Sequence, residues 1–232
     1  MKKFALCIHD LRASDKEKIV ETIKSIRESF KLGPITVHIV MDVDVSENDE
    51  TFRFLNKEIE LGLLEVVFHG VSHQCPVGTR KYFAWYHKYQ AEFISNTFQA
   101  DINSLRYNKL NEILHTNTGI CPPCWIANPE GWKFIKSLSP LYIEKLLFIS
   151  FKSKRFLSLP VSLASDKKNE LCFLKILASF ISTIAILFNH KRLRLIVHTL
   201  DLSNIDSLTF FRNKYYAFIS KGFSPVLQKE LV

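Results

Sequence analysis

A repeated alternation of short apolar runs and helical patterns dominates the first 70 residues and most constrains the fold. Apolar runs typical of buried strands occupy residues 4–8, 35–41 and 64–68. Between them, apolar side chains recur at helical spacing over residues 19–30 and 50–61. Ser14 and Glu17 predict a capping box at the start of the first helix. Strand, helix and strand in such short order predict parallel strands joined by right-handed crossovers.

Alternating units continue to the C-terminus, which favours a barrel-like α/β fold. A late strand is predicted at 193–197 and a final helix at 203–221, while Asn128 before Pro129 predicts another helix start. The chain has 232 residues, is 47% hydrophobic and contains no Pro/Ser/Gly-rich linker, so residues 1–232 are expected to form a single domain. The same composition excludes collagen-like and intrinsically disordered chains.

The cysteine content and the apolar runs indicate the cellular compartment in which the protein is expected. Five cysteines is an odd number, which fits a reduced compartment better than a secreted disulfide framework. The apolar start ends after Ile8 and is shorter than an export signal. The run 173–188 contains Lys175 and is shorter than the ~20 residues that span a bilayer. We therefore expect a cytoplasmic protein in which this run is a buried helix, with contact to a membrane surface as the alternative.

The net charge of +8 is concentrated in the second half of the chain. Residues 1–116 hold 15 basic and 16 acidic side chains, whereas residues 117–232 hold 16 basic and 7 acidic ones. A basic half indicates either an anionic, phosphate-bearing partner or a solvated basic face. Neither zinc-finger spacing nor interleaved Arg and aromatic residues are present, so a nucleic-acid partner is not expected.

Ionisable side chains follow the predicted strands where each strand ends. His9 and Asp10 follow the first strand, Asp42 and Asp44 follow the second, and His69 follows the third. The C-terminal ends of parallel strands lie at one edge of a sheet, which is where barrels and open α/β folds gather their chemistry. We therefore expect these side chains to lie close together.

The segment after the third strand contains an H-x-x-x-H motif formed by His69 and His73. Gly70 allows the backbone to leave the strand and turn, which would direct both imidazoles at one point. Asp10, from a neighbouring strand end, is placed to complete a three-ligand site with open positions, as a catalytic metal requires. The sequence therefore predicts a divalent metal centre at Asp10, His69 and His73.

Four motifs in this order resemble the signature of the polysaccharide deacetylase family, known as carbohydrate esterase family four, and more closely an uncharacterised branch of that superfamily. The motifs are Ile8-His9-Asp10, His69 to His73, Pro122-Pro123-Cys124-Trp125 and Leu195-Ile196-Val197-His198. Their order and approximate separations match over about residues 3–202. The resemblance implies a distorted (β/α) barrel of about seven strands that hydrolyses the acetamide of an amino sugar.

The resemblance also implies roles for individual residues. Asp10, His69 and His73 would hold the divalent ion, with zinc as the first candidate. His198 would be the general acid, and Asp201 would orient its imidazole. Pro123 and Trp125 would form a groove wall for a sugar ring. Two plainer interpretations stay open, namely a backbone-bonded His198 and ordinary core packing of Trp125.

The sequence departs from the family at the general base, because His9 stands where the family has an acid. An imidazole can accept a proton from water, so His9 is the first candidate, and Asp42, Asp44 and Glu92 are the others. If none of them reaches the water, the protein would bind metal and sugar without turnover. His38 and His190 are interpreted as ordinary core or surface residues.

Together these features predict a metal-dependent N-deacetylase in bacterial surface-polysaccharide biosynthesis, meaning O-antigen, capsule or lipopolysaccharide. Without an export signal, a cytoplasmic sugar-phosphate precursor is the expected substrate. Two alternatives remain: a non-catalytic metal- or carbohydrate-binding protein on the same barrel, and a hydrolase of another amide. The oligomeric state is left open. A further aromatic cluster follows His73, namely Tyr82, Trp85, Tyr86 and Tyr89. It could bind a sugar or cover the metal, and ordinary packing of a long loop is the alternative.

Overall fold

A computed structural model of the chain describes residues 1–31, 33–73, 92–94, 99–152, 154–161, 180, 184, 190–202 and 205–231. Within these ranges the side chains of residues 29–30, 200–201 and 205–207 are not described. The predicted buried helix at 173–188 and the aromatic cluster at 82–89 therefore lie outside the described residues, apart from positions 180 and 184. In the part of the chain that is described, no helix has both the length and the apolar character needed to cross a bilayer.

The described residues form strands and helices in alternation. The strands are β1 Lys2–Arg12, β2 Ile35–Val40, β3 Leu64–Phe68, β4 Gly119–Ile120, β5 Ile143–Glu144, β6 Phe148–Phe151, β7 Lys154–Leu157, β8 Leu159–Pro160, β9 Arg192–His198 and β10 Phe223–Val226. The α-helices are α1 Lys16–Phe30, α2 Glu50–Glu60, α3 Ala100–Ile113, α4 Pro129–Ser137, α5 Thr199–Leu202 and α6 Ile205–Ser220. Short 3-10 helices lie at Glu92–Ile94, Pro123–Trp125 and Gln228–Leu231.

All ten strands belong to one nearly closed, barrel-like sheet. Its strand order is β7-β6-β5-β4-β3-β2-β1-β9-β8, and β10 pairs with the first residues of β1. Pairing is parallel throughout except at β5–β6 and β6–β7, which are antiparallel. The prediction of a mixed α/β, barrel-like fold is therefore confirmed. The prediction of about seven strands is not confirmed, because nine strands follow one another along the sheet.

Alternating side chains of β1 divide the core into two parts. Leu6 and Ile8 pack in the large apolar cluster that includes Ile19 of α1 and Phe52 of α2. Cys7, between them, belongs to a second cluster on the opposite face, inside the barrel. Successive side chains of a strand point to opposite faces, so one face of the sheet holds the helices and the other lines the barrel interior.

Two predicted helix starts have different outcomes. Asn128 caps α4, because its side chain accepts a hydrogen bond from the backbone N–H of Gly131 at 2.7 Å. The predicted capping box of Ser14 is wrong, since α1 begins after Asp15 with no side-chain cap. The Ser14 hydroxyl instead donates to Asp42 at 2.6 Å, so a contact distant in sequence has replaced the local one.

A buried ion pair crosses the barrel interior. The guanidinium of Arg194, on β9, donates to the Glu144 carboxylate on β5, and both side chains are fully buried. Arg194 also donates to the backbone carbonyl of Ser158 at 2.9 Å. Gln228, near the C-terminus, donates to the second Glu144 oxygen at 2.5 Å. These contacts therefore link β5, β9 and the C-terminal segment that carries Gln228.

Removing the carboxylate of this pair should destabilise the fold. A Glu144→Ala variant leaves the Arg194 charge buried without its partner, which is expected to lower the free energy of unfolding by about 3–5 kcal/mol. Urea unfolding followed by circular dichroism measures this change. Glu50→Ala, which removes an exposed pair with Arg53, is the matched control and should unfold like the wild type. Equal midpoints for the wild type and Glu144→Ala would contradict the structural role of the pair.

A second interior carboxyl group should make stability depend on pH. Burial raises the pKa of Glu65 to about 7, although hydrogen bonds from the Lys229 backbone and from Thr36 oppose the rise. The unfolded chain loses this proton near its ordinary pKa of 4.5, whereas the folded chain retains it until about pH 7. The Glu65 contribution to the free energy of unfolding therefore decreases as pH rises from about 4.5 to 7.

A Glu65→Gln variant tests this contribution, because an amide does not titrate. Urea unfolding at pH 5 and pH 8 should show a smaller loss of stability on raising the pH in the variant than in the wild type. Glu60→Gln, at an exposed position of α2, should leave the wild-type difference unchanged. The expectation fails if Glu65→Gln retains the full wild-type difference.

Candidate metal centre

The three predicted metal ligands meet at one point of the structure. The Nε2 atoms of His69 and His73 lie 3.3 Å and 3.0 Å from Oδ1 of Asp10. The same two nitrogen atoms lie 3.3 Å from each other. One carboxylate oxygen and two imidazole nitrogens therefore form a compact triangle, and these groups could hold a metal ion.

The size of this triangle fits a small divalent cation. Zinc bonds to nitrogen and carboxylate oxygen are about 2.0–2.2 Å long, so two ligands of a tetrahedral site lie roughly 3.3 Å apart. The observed separations of 3.0–3.3 Å are close to that value. Two histidines and one carboxylate are also a donor set typical of catalytic zinc, which leaves room for water or substrate. The donor set and the spacing both fit the predicted ion.

A hydrogen bond orients the His69 ring. Its Nδ1 atom lies 2.7 Å from the backbone carbonyl oxygen of Cys121, directly beyond β4. A carbonyl oxygen only accepts, so Nδ1 carries a proton, and Nε2, which faces Asp10 and His73, is the atom that would give up its proton to bind a cation. This is the arrangement in which metal-ligating histidines are usually held.

Unusual backbone geometry occurs at two of the three ligands. Asp10 has a φ of 66° and lies within the register shift between Ile8 and Leu11 in the pairing of β1 with β2. His73 has a φ of 51°. Left-handed backbone is costly for residues other than glycine, and it persists where the surrounding structure enforces it. Its presence at Asp10 and His73 supports a functional centre at this position.

The neighbours of Asp10 stabilise the ionised form of its carboxyl group. Burial alone would raise the pKa of this carboxyl group, but hydrogen bonds from His69 and His73 and the nearby His198 outweigh that effect. The pKa of Asp10 is therefore well below its ordinary value. An ionised carboxylate is the form that binds a cation.

Glu92 holds the loop that carries the H-x-x-x-H motif. Its Oε2 atom accepts hydrogen bonds from the backbone N–H groups of Val71, Ser72 and His73 at 3.0, 3.0 and 3.2 Å. Its other oxygen accepts from the Asn103 side chain at 2.7 Å. A Cβ atom on Gly70 would lie only 2.4 Å from Oε2, so the glycine is required here. These contacts favour positioning of His73 over general-base chemistry as the role of Glu92.

His9 lies inside the barrel beneath the metal centre. Its ring centre is 3.7 Å from that of His38 and 5.2 Å from that of His69. Burial lowers the pKa of His9 well below its ordinary value, and the adjacent His38, His69 and His198 act in the same direction. Among the described residues, Nε2 of His9 has no hydrogen-bond partner. His9 is therefore a neutral, buried imidazole one residue from the candidate metal ligand Asp10.

His38, interpreted from the sequence as an ordinary core or surface residue, is fully buried and lies directly beside His9. It lies on β2 with its Nε2 atom 3.3 Å from Glu144, and burial lowers its pKa to about 4. Side chains two residues apart on a strand point to the same face. Thr36 and His38 on β2 have this spacing, as Cys7 and His9 have on β1, so the sequence contained a signal that both pairs face the barrel interior. A second group of residues could likewise hold an ion, namely His9, His38, His69 and Cys121, whose donor atoms all lie within 4.8 Å of one another.

Three of the residues with predicted catalytic or substrate roles lie close to His9 or Gly70, namely His198, Trp125 and Pro123. His198 ends β9, is partly exposed, and its ring centre lies 5.4 Å from that of His9. Asp201 lies in α5, but its side chain is not described. The Trp125 ring is 5.3 Å from His9, and its N–H donates to Glu144 at 2.8 Å. Pro123 lies beside Gly70, and its ring is 3.3 Å from the position that a Cβ atom on Gly70 would occupy.

The two other acids proposed as general base have partners of their own. Asp42 accepts hydrogen bonds from the backbone and hydroxyl groups of Ser14 and forms an ion pair with Arg12. Asp44 is largely exposed and forms an ion pair with Arg106. These contacts join neighbouring loops and α3, and they favour His9 over Asp42 and Asp44 as the candidate base.

No protein-family description, curated protein or solved structure matches this chain. The likeness to polysaccharide deacetylases therefore rests on the four motifs and remains a prediction. The metal centre is supported independently by the geometry of Asp10, His69 and His73.

Removing the Glu92 carboxylate should weaken metal binding. Glu92→Ala frees the backbone of the loop that positions His73, and loss of outer partners of metal ligands typically weakens binding ten- to a hundredfold. Glu92→Gln retains one acceptor oxygen and should show a smaller loss. Titration of the metal-free protein with Zn²⁺ measures the affinities, and Glu60→Gln is the exposed control. Unchanged affinity in a folded Glu92→Ala variant would contradict the positioning role.

Proposed function

We propose that the protein is a metal-dependent N-deacetylase that acts on an N-acetylated sugar. The observation that carries this proposal is the convergence of Asp10, His69 and His73 within 3.0–3.3 Å of one another. When bound there, a divalent ion, with zinc as the first candidate, would supply Lewis-acid activation of an amide carbonyl and of water. The donor set leaves coordination positions open, as a hydrolase of this kind needs.

Two histidines flank the centre and suit the proton transfers of amide hydrolysis. His9 would accept the proton from the attacking water, in the position where the deacetylases have an acid. His198 is partly exposed at the end of β9 and would donate a proton to the departing amine. The two residues lie side by side on neighbouring parallel strands, since His9 and His198 are directly paired in the register of β1 and β9, and their ring centres are 5.4 Å apart.

The loop after β4 would provide the sugar-binding wall. Trp125 is partly exposed, and its indole N–H is fixed by Glu144, so its ring has a defined orientation. Cys124 and Trp125 both have left-handed backbone, with φ of 58°. A tightly turned segment that presents an oriented aromatic ring beside a metal centre suits stacking against a sugar.

The same proposal specifies the type of barrel and the class of substrate. The parallel strands β5, β4, β3, β2, β1, β9 and β8 would form the seven-stranded barrel of the deacetylases, with β6 and β7 as an added hairpin. The substrate would be a cytoplasmic sugar-phosphate precursor of a bacterial surface polysaccharide. The excess of basic side chains in the second half of the chain supports an anionic precursor.

A second candidate is a metal- or carbohydrate-binding protein without turnover. The observation that favours it is the replacement of the family's acid by His9, whose ring is buried. A hydrolase of a different amide, such as a formyl group, would use the same arrangement of residues. Activity measurements on a panel of acetylated and formylated amino sugars separate these candidates.

The decisive experiment measures metal content and acetate release together. The purified protein is expected to contain about one divalent ion per chain and to release acetate from N-acetylated sugar precursors, with loss on chelation and recovery with Zn²⁺. His69→Ala removes a ligand and should lower both metal occupancy and activity, the latter by more than about a hundredfold. His115→Asn is the matched control, because His115 is exposed with a φ of 50°, which asparagine tolerates.

The outcomes distinguish the candidates. Metal that is bound by the wild type and lost in His69→Ala, without turnover on any amide, would favour the binding protein. Turnover that persists unchanged in the chelated protein would reject the metal-dependent mechanism. Full metal occupancy in His69→Ala would show that the ion is held elsewhere.

A further inference from the structure

A basic cavity lies outside the barrel, away from the metal centre. It has a volume of about 600 Å³ and is bordered by α4, by the loop before β5, and by strands β5 to β7. Among the described residues that line it, five are cationic and none is acidic, the cations being Lys136, Lys145, Lys152, Lys154 and Arg155. None of the metal ligands borders this cavity.

Strand register explains why these side chains gather outside the barrel. Ile143 of β5 pairs with Ser150 of β6, which pairs in turn with Arg155 of β7. Their neighbours Glu144 and Ile149 are buried in the barrel interior, so Ile143, Ser150 and Arg155 lie on the outer face. Arg155 therefore projects from the same face as the cavity wall formed by Ile143.

Like charges are held close together in this cavity. The Lys145 ammonium lies 4.2 Å from the centre of the Trp132 ring, which fixes its position by a cation–π contact. Partial burial lowers the pKa of Lys145, and the positive charges of Arg155 and Lys136 lower it further. Among the described residues, none of the five cations forms an ion pair with an acidic side chain.

We propose that this cavity binds a phosphate-bearing ligand of about the size of a nucleoside diphosphate. Its volume lies within the roughly 300–1,000 Å³ of typical small-molecule sites. Converging ammonium and guanidinium groups that have no acidic partner in the described part of the chain suit the several charged oxygens of a diphosphate. Trp132 and Phe151 border the same cavity and supply apolar surface for the remainder of the ligand. The inference is independent of the proposed deacetylase activity, because it involves none of the metal-centre residues.

The test uses ADP and inorganic pyrophosphate as probes in calorimetric titrations of the full-length protein. The double variant Lys136→Glu/Arg155→Glu reverses two exposed charges of the cavity and should weaken binding at least about tenfold, the effect of losing one charge-assisted contact. Lys24→Glu, an exposed reversal on α1, is the matched control and should bind like the wild type. Raising the salt concentration should weaken wild-type binding more than binding by the double variant.

Two controls and a vesicle assay accompany the titrations. Circular dichroism verifies that the variants are folded, and the His69→Ala protein should retain probe binding, since pyrophosphate also chelates metal ions. Vesicles of phosphatidylglycerol, compared with phosphatidylcholine, test a lipid headgroup as the source of the phosphate. Binding to the anionic vesicles that is lost in the double variant would assign the cavity to a lipid phosphate, whereas ADP binding without vesicle binding would assign it to a soluble one.

Two results would overturn the proposal. One is the absence of binding by the wild type to all the phosphate-bearing probes, soluble and vesicular. The other is equal binding by the wild type and a folded double variant, because the cavity cations would then contribute nothing. Neither result bears on metal content or acetate release, so failure of this proposal is distinguishable from failure of the proposed enzymatic function.

Discussion

Glu144 places a carboxylate in the middle of the barrel, where an unpaired charge would be strongly unfavourable. Its two oxygens are shared among four side chains. Arg194 and Trp125 contact one oxygen, and Gln228 and His38 contact the other. These partners come from β9, the C-terminal segment, the loop after β4 and β2. Satisfying one buried charge therefore fixes parts of the chain that are far apart in sequence. Trp125 and His38 also lie beside His9, with ring centres 5.3 Å and 3.7 Å from its own, so this interaction positions residues next to the candidate metal centre.

The candidate metal centre itself is held in place by hydrogen bonds to the backbone. The loop from Gly70 to His73 leaves its N–H groups pointing inward, and the Glu92 carboxylate accepts three of them. This arrangement compensates for the left-handed backbone of His73. Asp10 has the same unusual backbone near the end of β1. The ligands are thus held by two strained segments whose polar groups are satisfied, which keeps the Nε2 atoms directed at one point.

Local pattern and strand order were sufficient to predict the elements up to β3 and the convergence of Asp10, His69 and His73. Parallel strands bring their C-terminal ends together whatever lies between them, so this part needs no distant information. The role of Glu92 was not predictable in this way, because its partners are backbone groups about 20 residues earlier. The capping box at Ser14 failed for the same reason, since Asp42 competes for the hydroxyl. His38 was not predicted, because only its two-residue alternation with Thr36 marks it as facing the interior beside β1.

The charge distribution around the centre suits a divalent cation. Arg194 and Glu144 neutralise each other in the barrel interior, and burial lowers the pKa values of His9 and His38, which are consequently neutral near pH 7. The interior therefore adds no net positive charge beneath the ligands. The low pKa of Asp10 leaves one negative charge at the centre itself. A dication there would be left with about one net positive charge, which would favour the negative charge that develops on a carbonyl oxygen under attack.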